Sequence, residues 1–121
     1  MAFYFGDESS NTKALGNAAD FMFGFGGADW LSGNGGNDVI DGSDGNYSLS
    51  GGTGNDILVG DRGDDTLMGG AGYDGMDGGS GNDRLEGDAG NDILFGGGGT
   101  DWIFGGKDDD IILGGEGNDK L

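Results

Sequence analysis

Gly51-Gly52-Thr53-Gly54-Asn55-Asp56-Ile57-Leu58-Val59 sets a glycine-rich segment and an aspartate ahead of three aliphatic residues. Such a stretch reads as a turn running straight into a strand. Counting in nines from Asp56 and Leu58, the same pattern recurs in both directions. Windows begin upstream at Leu15, Gly24, Gly33 and Gly42, and downstream at Gly60, Gly69, Gly78, Gly87, Gly96, Gly105 and Gly114. Twelve windows follow one another without an insertion, the last ending at its eighth position, Leu121. Fold and function therefore have to be read from the nine-residue unit.

Two columns carry most of the information. Position eight reads Met22, Leu31, Ile40, Leu49, Leu58, Leu67, Met76, Leu85, Leu94, Ile103, Ile112 and Leu121, all aliphatic or methionine. Position six reads Asp20, Asp29, Asp38, Tyr47, Asp56, Asp65, Asp74, Asp83, Asp92, Asp101, Asp110 and Asp119, eleven aspartates broken by one tyrosine. Position one is glycine except at Leu15, and position four is glycine except at Ala18 and Asp108. Position five favours asparagine, at Asn37, Asn46, Asn55, Asn82, Asn91 and Asn118, a residue expected to accept left-handed backbone there.

Composition narrows the function classes. The 121 residues include 33 glycines, no proline, no cysteine and no histidine. Thiolate and imidazole chemistry are thereby absent, and hydrolytic triads and zinc sites nearly so. The 23 acidic against 5 basic residues give a formal charge of −18, which argues against nucleic acid or an anionic membrane and for cations or a basic partner. No apolar run suggests a membrane span, and Met1-Ala2-Phe3-Tyr4-Phe5 lacks the basic start of a signal peptide, so export by another route is expected. An acidic, glycine-rich chain is often disordered, but a disordered tract has no reason to keep the position-eight column.

The unit is expected to be a turn of six residues followed by a strand of three, with position eight pointing inward and positions seven and nine outward. One such strand buries nothing alone. Stacked in parallel at about 4.8 Å, the strands form ladders whose inward residues make a narrow continuous core. Two windows make one coil, with a strand on each side.

Gly-Gly-x-Gly-x-Asp-x-U-x, where U is aliphatic, resembles the nonapeptide of the RTX (repeats-in-toxin) family. Gly51 to Val59, Gly69 to Asp77, Gly78 to Glu86 and Gly96 to Phe104 match it at each fixed position, and the resemblance runs from Leu15 to Leu121. It implies an all-β, right-handed parallel β-roll that binds calcium, as in secreted bacterial toxins, proteases, lipases and epimerases. It also implies ions held between turns on one edge, by position-six aspartates of windows two apart and by turn carbonyls. One edge then holds Asp20, Asp38, Asp56, Asp74, Asp92 and Asp110, and the other Asp29, Asp65, Asp83, Asp101 and Asp119, interrupted by Tyr47. Five neighbouring pairs stay intact on the first edge and three on the second, which suggests about eight calcium ions or more. Eight divalent ions nearly neutralise the formal −18. Calcium suits such turns because it takes six to eight oxygen ligands in flexible geometry, whereas magnesium demands a stricter octahedron. The other reading of these aspartates is that they only cap turns. Tyr47 is expected to close a gap where no ion binds, and Asp108 either strains its turn or adds an oxygen.

Residues 1–14 are expected to form a cap and one degenerate repeat, with Phe3-Tyr4-Phe5 as a capping strand or as a frayed tail, ahead of the roll at 15–121. On one face positions seven and nine are largely apolar, including Ile57, Val59, Ile93, Phe95, Ile111 and Leu113, an extent that usually marks a contact. The opposite face is mixed. The chain ends within a strand, so end-to-end stacking, with lateral contact through the apolar face, is expected to give a homo-oligomer. The leading expectation is a non-enzymatic, extracellular, calcium-stiffened fibre or surface-layer protein. The alternative is the calcium-dependent folding module of a larger secreted toxin or enzyme. Ice binding is disfavoured, since no outward threonine column forms.

Overall fold

A computed structural model describes residues 1–121 as an all-β parallel solenoid of about six turns, without helices. One sheet contains β1 (Phe3–Phe5), β3 (Phe21–Gly27), β5 (Val39–Gly45), β7 (Ile57–Arg62), β9 (Gly75–Ser80), β11 (Ile93–Gly98) and β13 (Ile111–Glu116). The other contains β2 (Thr12–Ala14), β4 (Trp30–Gly35), β6 (Ser48–Thr53), β8 (Thr66–Ala71), β10 (Arg84–Ala89) and β12 (Trp102–Lys107). Each strand pairs in parallel with the strand two further along the chain, as in Leu58 with Met76 and Leu67 with Leu85. A bridge between Trp102 and Lys120 continues the second sheet.

From β3 onward the strands are longer than the expected three residues. β7, for example, runs six residues, from Ile57 through the following glycine to Arg62. The ladder persists because positions two and three of each window stay in register with their counterparts, as in Gly52 with Gly70 and Thr53 with Ala71. The left-handed residues are also placed differently from the sequence expectation. Position two turns left-handed even in Asn34 (φ 70°), Asp61 (φ 79°) and Asp88 (φ 74°), while none of the position-five asparagines does. Position four is the stricter site: Gly54 has φ 126°, and a Cβ there would lie 1.7 Å from the Gly36 carbonyl oxygen. Asp108, the one aspartate at position four, takes φ 81°, so its turn carries backbone strain that glycine avoids.

The core is the position-eight column. Leu31, Ile40, Leu49, Leu58, Leu67, Leu85, Leu94 and Ile103 have no exposed surface. Each such burial contributes about 1.5–3 kcal/mol. The column extends into the N-terminal segment, where Tyr4 packs against the same cluster. Phe3-Tyr4-Phe5 is a paired strand rather than a frayed tail, in register with Phe21-Met22-Phe23. Its rings stack on the next coil, Phe3 on Phe21 at 5.3 Å and Phe5 on Phe23 at 5.6 Å.

Candidate metal sites along the two edges

Two side-chain ladders run along the edges of the solenoid in opposite directions. In one, the Oδ1 of each position-six aspartate accepts the backbone N–H of the residue 18 positions earlier. Asp38 donates to Asp56, Asp56 to Asp74 and Asp74 to Asp92, at 2.8 Å each, on one edge. Asp65 donates to Asp83 and Asp83 to Asp101, again at 2.8 Å, on the other. Asn11 and Ala2 extend these ladders by donating to Asp29 and Asp20. In the second ladder the position-five asparagines accept from the residue 18 positions later, Asn37 from Asn55 and Asn46 from Asp64, both at 2.8 Å. Position five is thus selected for a short side-chain carbonyl that satisfies the next coil, and not for left-handed backbone.

The aspartate ladder uses one carboxylate oxygen and strands the other. Asp20, Asp29, Asp38, Asp56, Asp65, Asp74, Asp83, Asp92 and Asp101 are buried, while Asp110 and Asp119 are half-buried. The Oδ2 atoms of Asp29, Asp38, Asp56, Asp65, Asp74, Asp83, Asp92 and Asp101 have no hydrogen-bond partner. A turn cap that needed only Oδ1 would not have to bury a second, unpaired oxygen, because an unsatisfied buried acceptor costs about 1–3 kcal/mol, and more for a charged group.

These oxygens face a space kept open by the position-one glycines. A Cβ on Gly60 would lie 2.4 Å from Asp65 Oδ2 and 2.6 Å from the Gly78 carbonyl oxygen; on Gly78 it would lie 2.5 Å from Asp83 Oδ2 and 2.7 Å from the Gly96 carbonyl. Neither glycine has positive φ, so the requirement is for space and not for conformation. The gap left by the missing side chain is walled by a carboxylate and a carbonyl, the oxygen chemistry of a hard cation. Nowhere do three acidic side chains converge into a metal-binding group. A bound ion would therefore have to complete its shell from the turn carbonyls.

The electrostatics of the turns match this. Burial pushes Asp65 and Asp74 up to about 6, and Asp83 up to about 7, with part of the rise offset by the hydrogen bond each accepts and part supplied by neighbouring carboxylates. Asp38, Asp56, Asp92 and Asp101 are raised for the same leading reason. Stacked carboxylates without counter-charge demand a proton or a cation.

Tyr47 breaks the row by filling it. Its N–H keeps the ladder by donating to Asp65 Oδ1 at 2.8 Å, and its hydroxyl donates to the Asp44 carbonyl at 3.2 Å. The ring is buried, joins the apolar core, and closes over the position-one glycines Gly24 and Gly42, where a Cβ would meet it at 2.6 and 2.7 Å. It stands where the free oxygen of an aspartate would otherwise be, beside the unpaired oxygen of Asp29. Burial and the surrounding carboxylates, Asp29 and Asp65 foremost, push its hydroxyl up to about 12, so it stays neutral.

Parallel coils of glycine turns, each edge lined with half-satisfied buried carboxylates, define a calcium-binding β-roll. The family model described as the RTX calcium-binding nonapeptide repeat matches the chain in four copies, over residues 16–49, 48–76, 77–112 and 86–121. The chain therefore belongs to the RTX calcium-binding repeat family. No curated protein and no solved structure is significantly similar to it.

Proposed function

We propose that the chain is a non-enzymatic structural module that folds into a stiff rod when calcium loads its edges, and that works outside the cell. The observation that carries this is the two rows of buried aspartate oxygens without partners, eight in all, with a carbonyl oxygen walling the gap beside those of Asp65, Asp83, Asp92 and Asp101. The residues that would hold the ions are Asp20, Asp38, Asp56, Asp74, Asp92 and Asp110 on one edge and Asp65, Asp83, Asp101 and Asp119 on the other, with Asp29 isolated by Tyr47. Bound calcium supplies counter-charge; the chain's own carboxylates and turn carbonyls orient and space the coils. Extracellular modules bind calcium at about 10⁻⁴ to 10⁻³ M, concentrations that a cytosol does not provide, and this supports an external location. Self-association belongs to the same reading, supported by the exposed apolar side chains of the seven-stranded sheet.

Circular dichroism tests the module. A β-rich spectrum with calcium and a disordered one in chelator are expected. A spectrum unchanged by chelator would refute it. Electron microscopy of the loaded protein tests the assembly, and dispersed single rods would count against self-association.

A further inference from the structure

The calcium-folded reading leaves one surface unexplained, the outer face of the seven-stranded sheet. Ile57, Ile93, Phe95, Ile111 and Leu113 stand on it with 42 to 57% of their surface exposed. The apolar relief is broken at Gly75, where a Cβ would meet nothing within 4 Å and a notch of about 340 Å³ opens beside Ile57, Val59, Ile93 and Phe95. A protruding isoleucine thus stands one strand from a hole on the same face. That is the relief a two-fold interface requires, since each copy must offer both knob and hole.

We propose that this face pairs with the same face of a second copy, about a two-fold axis running along the strands between β7 and β9. The rotation brings Ile57 of each copy over the Gly75 notch of the other. It sets Val39 against Ile93, Phe21 against Ile111, and the exposed ring of Phe25 against Gly115. The acidic residues decide between registers. An axis centred on β7 places Asp41 against Asp77 and Asp61 against its own copy. The like charges opposed about the β7 axis cost several kcal/mol. Two rods side by side in the same direction set position seven of each strand against position nine of the same strand, which leaves the Gly75 notch to Asp77 of the other copy. The axis between β7 and β9 fills the notch with an isoleucine and opposes no two acidic residues, setting Asp41 beside Phe95 and Asp77 beside Val59. Of the two registers that lie one strand pair to either side, one lays the half-buried Phe21, already stacked on Phe3, over the notch and leaves Ile111 and Leu113 uncovered, and the other sets Ile93 over the notch but leaves Phe21 and Val39 uncovered.

The area is sufficient. Six side chains about half exposed, each roughly 150–250 Å² when free, together with the partly buried residues between them, give about 700 Å² per copy, near the ~800 Å² of a standard interface. The pairing rests on the calcium reading, because two chains of charge −18 repel until ions neutralise them.

Sedimentation of the calcium-loaded chain across a concentration series, with circular dichroism on the same samples, tests this. The expected result is a mass rising from 12.1 kDa to twice that value and no further. Ile57→Asp and Ile111→Asp should each weaken the dimer at least ~10-fold, since the symmetry counts each change twice. Gly75→Ile, which has room and no unusual backbone to oppose it, should also weaken it by filling the notch. Phe104→Ser on the opposite sheet should leave it unchanged. A β-rich monomer at all concentrations, open-ended growth, or a Gly75→Ile variant that dimerises more tightly would each overturn the proposal. So would a monomer that instead floats with phosphatidylcholine vesicles. A chain that stays disordered in calcium overturns the folding reading and this one with it, and the spectrum separates that failure from a folded monomer.

Discussion

Replacing Asp74 by asparagine separates a calcium ligand from a turn cap, because the two roles use different oxygens. Asp74 Oδ1 accepts the Asp56 N–H at 2.8 Å, and an asparagine oxygen can do the same, so the cap survives. The other oxygen is buried and unpaired, and asparagine replaces it with an amide NH2, which is a donor only and cannot ligate a cation. In the calcium-free state the change removes a carboxylate whose pKa has risen from 3.8 to about 6, a burden of about 3 kcal/mol at neutral pH that solvent at the edge screens to about 1–2 kcal/mol. Without calcium the variant's folded state is therefore slightly less disfavoured than the parent's, and its spectrum in chelator should show slightly more β structure. Loaded with calcium it should be less stable, since Asp74 belongs to two neighbouring pairs, with Asp56 and with Asp92. Circular dichroism in chelator reads the first arm, and calorimetric titration followed by thermal melting in calcium reads the second. Loss of one to two ions together with a lower melting temperature in calcium is expected. An Asp74→Asn variant with unchanged stoichiometry, and greater stability with and without calcium, would show that the aspartates only cap turns.

The other predictions address separate parts of the structure. Asp65, Asp74 and Asp83 titrate higher when folded than when unfolded. The calcium-free fold therefore holds more protons than the unfolded chain between about pH 4 and 7, and its stability falls as pH rises through that window. Acidifying the calcium-free protein from pH 7.5 to 5 should raise its β content by circular dichroism, while calcium affinity falls as protons compete. Gly69→Ala places a methyl 2.5 Å from the free Asp74 oxygen without disturbing a left-handed residue; it should lower calcium affinity in a titration more than it lowers any calcium-free stability. Tyr47→Asp supplies the carboxylate missing between Asp29 and Asp65, which restores two neighbouring pairs, and should raise the calcium count in the same titration by up to two. Leu58→Ala empties a fully buried position and should cost about 2–5 kcal/mol of calcium-loaded stability by thermal or chemical unfolding.

Much of the architecture could be read from the sequence because each column of the repeat answers one physical demand. Leu58 and its equivalents point inward because a parallel ladder needs an apolar residue there in every coil. The separation of even and odd windows into two sheets, and the apolar face carried by one of them, follow from the same count. Three features escaped. Position-five asparagine looked like a left-handed residue, yet its carbonyl serves the next coil, and the recurrence of aspartate at position five in Asp64 hints at that acceptor role. The strands run on through the glycines because pairing in register tolerates left-handed residues such as Asp61. The glycine at position one is required for space opposite a carboxylate five residues later, a contact between two columns that neither column reveals alone. Tyr47 was legible as an interruption; that its ring occupies the gap needed coordinates.

The number of calcium ions taken up as the chain folds tests the central claim most directly. Equilibrium titration of chelated protein, with circular dichroism recorded at each step, should show several ions, about eight, binding as the β spectrum appears. A chain that reaches its full β spectrum before calcium is added, or that folds with no ion bound, would contradict the account.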